Sequence, residues 1–163
     1  MLRWKRAFQG LSASVDGHDR MAFKAIDAVM GIFLTVLDIG AMHGMSGDLL
    51  RRELNRSVFV NPEIDGNLLS DISLLADYRF GGVISYLRRT GKRLNENDLK
   101  FCSLLCFRTS AIGMMKLYNH TNPACYYNRR GRIMRRIGLP KGKHTLERFL
   151  FETMESLSPT KQQ

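Results

Sequence analysis

Between Asn122 and Pro140 the chain writes out both ends of one helix, and that segment constrains the fold more than any other. Asn122 stands before Pro123, and proline's fixed φ suits the first helical position, where its missing N–H leaves no bond unmade. Gly138 supplies a stop, and Pro140 bars continuation beyond it. Counting 100° per residue from Tyr126, residues Arg130, Ile133 and Ile137 lie within about 40° of it, so they form the buried stripe. Arg130 sits at the stripe's edge, where its charged head can reach water. The opposite face carries Asn128, Gly131, Arg132 and Arg135, flanked by Arg129 and Arg136.

The same punctuation brackets the neighbouring segments. Asn95 can accept a hydrogen bond from the Asp98 amide, and Asp98 places negative charge in the first turn, so a helix is expected over 96–107. It would turn Leu99, Cys102, Leu105 and Cys106 inward. Thr109 or Ser110 caps a helix over 111–118, with Ile112, Met115 and Tyr118 or Leu117 inward. A short turn at 119–122 leads into the helix over 123–137. Another helix begins near Thr145 and carries Leu146, Phe149 and Leu150 to about residue 155.

Upstream, Asp16 or Asp19 caps a helix to about Ile39, with Ala22, Ile26, Val29, Phe33, Val36 and Leu37 at helical spacing and Gly31 weakening it slightly. The stretch Gly40–Gly47 ends it. Ser46 caps a short second helix through Leu54. Pro62 and Gly66 mark 59–67 as a loop. Leu68, Leu69, Ile72, Leu75 and Ala76 restore helical spacing over 67–80, and Gly81–Gly82 bend or break the chain beyond it. Ser57–Val60 is the one short β-like run. The expected fold is therefore all-α: a mobile tail over 1–15, a helical association or partner-binding unit over 16–93, a four-helix module over 94–155 and a tail over 156–163.

Charge separates the two units. The chain has a formal net charge of +10, yet residues 1–87 hold 9 Lys/Arg against 10 Asp/Glu, while residues 88–148 hold 15 against 3. All the excess lies in the module with the basic helix, which points to an acidic partner there. A basic helix after a short helix and a tight turn fits the geometry that sets a recognition helix in the major groove. Arginine suits phosphate and the guanine edge, and asparagine suits adenine.

Other function classes find little support. No Gly-rich phosphate loop, nucleophile elbow or paired metal motif occurs, so no enzymatic role is expected. His18, His43, His120 and His144 are scattered, with His120 alone near enough to Asn122 to touch a phosphate. Cys102, Cys106 and Cys125 cannot all pair within the chain and have no zinc-ligand spacing; Cys102 and Cys106, four apart on one helix face, read as small buried residues, and the setting as reducing and cytoplasmic. No cofactor or metal is expected. The most apolar run, Ala28–Leu37, is about ten residues between Asp27 and Asp38, against the roughly 20 a spanning helix needs, so a buried helix and no membrane contact are expected.

The stretches Leu94–Phe107, Asn122–Leu139 and Leu146–Leu150 together resemble the LuxR-type helix-turn-helix, in the form found in Bacteroidetes regulators. There an opening "Leu-Thr-x-x-Asp/Glu-Leu" precedes the first helix, matched here by Leu94-Asn95-Glu96-Asn97-Asp98-Leu99. The recognition helix there ends in "Arg-x-Arg-Leu-Arg-Lys-Lys-Leu-Gly-Leu", matched here by Arg130 to Leu139. The resemblance covers about 55 residues. It implies a four-helix, transcription-regulator-like domain that binds double-stranded DNA, typically as a homodimer. With the third helix in the major groove, Asn122, Asn128, Arg129, Arg132, Arg135 and Arg136 are the expected contacting set. Departures are Gly113-Met114-Met115-Lys116 where the family has Lys/Glu-Glu-Ile-Ala, Tyr126 for Val, Gly131 on the outer face, and one extra residue at 107–109. The alternative is a protein-interaction or adaptor module that keeps the fold and has lost DNA.

Overall fold

The computed structural model describes residues 2–58, 68–140, 142 and 145–158, with the side chains of 2–18, 55–58 and 68 excepted. Within them the chain is all-helical, with eight helices and no strand. These are α1 (Leu2–Met42), α2 (Gly47–Val58), α3 (Leu68–Arg79), α4 (Val83–Thr90), α5 (Glu96–Cys106), α6 (Ala111–Leu117), α7 (Pro123–Ile137) and α8 (Leu146–Leu157). The expected loop at 59–67 lies outside the described residues, as do 159–163 of the expected tail.

The capping chemistry sets the boundaries. Asn95 accepts from the Asp98 amide at 2.9 Å, and the Asp98 carboxylate takes the Asn95 amide at 3.4 Å, which closes a capping box. Ser110, rather than Thr109, caps α6 by accepting from the Gly113 amide at 3.0 Å. Thr109 instead donates to the Leu104 carbonyl at 2.7 Å. Asn122 accepts from Ala124 at 2.9 Å, and Thr145 from Arg148 at 3.2 Å. Gly138, with φ 88°, ends α7 in the left-handed conformation that a β-carbon would resist.

Three elements depart from the sequence reading. Helix α1 begins at Leu2, so helical backbone covers the segment read as a tail. The diglycine at 81–82 does break the chain, with φ 67° and 86°, but a separate eight-residue helix, α4, begins directly after it and buries Val83, Ile84 and Leu87. Ser57 and Val58, half of the β-like run, close α2.

One hydrophobic cluster draws buried residues from all eight helices. Helix α5 lies at its centre: Leu99, Phe101, Cys102, Leu104, Leu105 and Cys106 are all buried, as are Asp98 and Ser103. Helices α3, α4 and α8 pack on α5, while α1 packs on α2 and α6. The core crosses the boundary drawn at residue 93. Asp38 of α1 accepts from the Ser110 hydroxyl, and Arg51 of α2 donates to the Leu117 carbonyl at the end of α6. At Gly113 a β-carbon would stand 2.8 Å from Leu37 Cδ2, so the glycine is what lets α6 approach α1. This also corrects the inward face of α6: Gly113, Met114 and Leu117 are buried, and Ile112 is 59% exposed.

Candidate nucleic-acid interface

Helix α7 is held against the core by its predicted stripe. Tyr126 and Ile133 are buried, Ile137 packs partly against the cluster, and Phe101 of α5 lies 5.8 Å from the Tyr126 ring. Arg130, at the edge of the stripe, pairs with Glu147 of α8, which also receives the Tyr126 hydroxyl at 3.4 Å. Burial, with Glu147 next in effect, raises the Tyr126 phenol above its ordinary value.

The six residues of the expected contacting set divide into two groups. Asn128, Arg132 and Arg135 are exposed and line one open groove along α7, together with His120, Cys125 and the edge of Arg129. Among the described residues neither Arg132 nor Arg135 has a hydrogen-bond or ion-pair partner. The groove has a volume of about 410 Å³. Gly131 lies beside it with no atom near enough to meet an added β-carbon.

The other three are engaged by the fold. Asn122 spends its side-chain oxygen on the α7 cap. Arg129 leans inward: it donates to the Asn97 carbonyl at 3.0 Å and stacks over the rings of Tyr118, at 4.3 Å, and Phe101, at 5.0 Å. Arg136 pairs with Asp98, whose side chain is 1% exposed. Both arginines flank the outer face at an angle from which long side chains can fold back on α5, and α5 offers a buried carboxylate and an aromatic ring there. A charged side chain at a flanking position reads as solvent-facing when its partner, 38 residues away in the chain, is unseen.

Sequence reasoning placed His120, before the helix, near enough to touch a phosphate there, and passed over Cys125. His120 enters the groove because the turn at Asn119, with φ 51°, brings it beside the first turn of α7, which supplies Cys125. Burial, and secondarily Arg129, hold the His120 imidazole below its ordinary value, which favours the neutral ring beside the arginines. Burial pushes the Tyr118 phenol up to about 12 and the Cys106 thiol up to about 12, and raises Cys102 well above the thiol range. Of the three cysteines, Cys102 and Cys106 are buried as expected, and Cys125 is exposed.

The apolar segment of α1 is longer than the ten residues counted between Asp27 and Asp38. Asp19–Met42, 24 residues, is long and apolar enough to cross a membrane by length and composition alone. It is not simply a buried helix: Phe33 and Leu37 are fully buried, while Met21, Ile32 and Met42 are 73%, 61% and 80% exposed. Among the described residues no three His, Cys, Asp or Glu side chains converge as a metal site. No protein-family model, no curated protein and no solved structure matches this chain.

Proposed function

We propose that α5, α6 and α7 form a LuxR-like helix-turn-helix in which α7 enters the major groove of double-stranded DNA, and that the protein is a cytoplasmic transcriptional regulator acting as a homodimer through residues 20–90. One observation carries the reading: Asn128, Arg132 and Arg135 project from one face of α7 without protein partners among the described residues, while the helix's other arginines are tied down behind them. Long cations left unneutralised side by side suit a polyanion, and asparagine between them suits a base edge. The ties on Arg129, Arg130 and Arg136 preorganise the helix for such contacts. Titrating a random duplex at two salt concentrations tests this, with binding that weakens steeply as salt rises expected. Absence of binding at low salt overturns it.

The adaptor reading draws on a separate observation. With Arg129 and Arg136 committed to α5 and Asn122 to its cap, half of the expected contacting set is occupied. If duplex DNA is not bound, the groove of α7 remains a basic surface for an acidic protein.

A further inference from the structure

Helix α1 is apolar on two opposite faces. Ile26, Met30, Phe33 and Leu37, spaced 4-3-4, enter the core. A second series, Met21, Ala25, Ala28, Ile32, Thr35, Ile39 and Met42, is spaced 4-3-4-3-4-3 and is exposed throughout. At 100° per residue the two stripes lie about 160° apart, and the outer one runs about 32 Å along the helix. Its spacing is that of a coiled-coil seam. Val29 and Val36 flank it on one side, and Lys24, Gly31 and Asp38 on the other. No helix of the same chain among the described residues covers it.

We propose that this stripe pairs with the same stripe of a second copy, running antiparallel, which deepens the dimer part of the proposed function and does not depend on DNA. The charges select the occupant and its direction. In an antiparallel pair the flank bearing Lys24, Gly31 and Asp38 meets the same flank of the partner. The register that stacks Ala28 on Ile32 of the partner subunit, Ala25 on Thr35 of the partner subunit and Met21 on Ile39 of the partner subunit sets Gly31 opposite its own counterpart. It also sets Lys24 opposite Asp38 of the partner subunit, twice by symmetry. In a parallel pair the same charges would face Val29 and Val36. Gly31 has open space where a β-carbon would stand, which permits close approach at the dyad. Asp38 uses one carboxylate oxygen on Ser110 and keeps the other for the lysine. A lipid surface fits less well, because Lys24 and Asp38 border the stripe and the helix's other face is closed by the core.

The test is the oligomeric state of the full chain without DNA. Light scattering at tens of micromolar is expected to give a dimer. Ile32→Glu, at an exposed position, is expected to give a monomer of unchanged helicity. Lys24→Asp and Asp38→Lys should each weaken the dimer about tenfold, with two charge pairs inverted at once, and the double exchange should restore it. In a Cys125→Ser background, Gly31→Cys should be joined by a short bis-maleimide and Lys24→Cys should not. A wild-type monomer, a dimer indifferent to Ile32→Glu, linking at Lys24→Cys instead of Gly31→Cys, or a monomer that partitions onto phosphatidylcholine vesicles each overturns the proposal. Loss of DNA binding with the dimer intact would count against the DNA reading alone.

Discussion

Replacing Arg136 by alanine separates a structural arginine from a DNA-contacting one. Arg136 pairs with Asp98, whose side chain is 1% exposed, while the arginine itself is 31% exposed. Breaking a fully buried pair costs about 3–5 kcal/mol, because one charge stays behind without a partner. Here the stranded charge is the buried Asp98 carboxylate, left with only the Asn95 amide at 3.4 Å. Water already reaches the arginine's place, so the expected loss is discounted to about 2–3 kcal/mol. For a chain of this size that lowers Tm by roughly 5–10 °C. Thermal unfolding followed by circular dichroism reads it, with Arg135→Ala, an exposed neighbour, expected within about 0.5 kcal/mol of wild type. Combining Arg136→Ala with Asp98→Asn, which keeps a capping oxygen and removes the charge, should recover part of the loss. If Arg136→Ala leaves Tm unchanged and instead lowers the salt slope of DNA binding by about 1, Arg136 serves phosphate and the pairing argument fails.

The remaining predictions concern the outer face, two glycines and alkali. Arg135→Ala should weaken all duplexes alike and reduce the salt slope by about 1, while Arg132→Ala or Asn128→Ala should relax preference at one base pair by about 1–3 kcal/mol, measured by competition titration. Gly131→Ala, in open space on a helix, should stabilise the fold by about 0.5–1 kcal/mol, whereas Gly113→Ala, which drives a β-carbon to 2.8 Å from Leu37, should destabilise it by about 1–3 kcal/mol in chemical denaturation. Cys106 and Tyr118 are held protonated up to about 12 in the fold and ionise earlier when unfolded. Native protein therefore binds more protons than unfolded protein between about pH 9 and 12, and stability should fall as pH rises through that window. A flat stability curve there would refute the burial of both groups.

Local chemistry was legible wherever a helix end depends on a residue or two. Asn95, Ser110, Asn122, Gly138 and Thr145 each act where their residue type and spacing place them. The buried stripe of α7 was legible for the same reason, since Tyr126 and Ile133 carry it at helical spacing. The inward face of α6 was not. Gly113 is buried against Leu37 of α1 where a side chain would collide, and a residue without a side chain leaves no hydrophobic signal to count. The inward pairing of Arg129 and Arg136 was not legible because the partners that draw them in belong to α5 and the end of α6, and nothing local to α7 reveals a buried carboxylate or ring waiting there. The two-sidedness of α1 was blurred because both stripes are apolar, so counting apolar residues merged them into one.

The near-complete burial of α5 has a consequence for motion. Its backbone amides from Leu99 to Cys106 are bonded within the helix and roofed by α3, α4 and α8, so they can exchange hydrogen with water only when the whole core opens. The start of α7 is different: Thr121, Asn122, Pro123, Ala124 and Cys125 are all exposed, and one side-chain cap holds the first turn. That turn can fray and re-form without disturbing the core, on a timescale far shorter than global unfolding. The first turn of α7 is thus softer than the rest of the helix, which is fastened to α5 through Arg129 and Arg136 and anchors it.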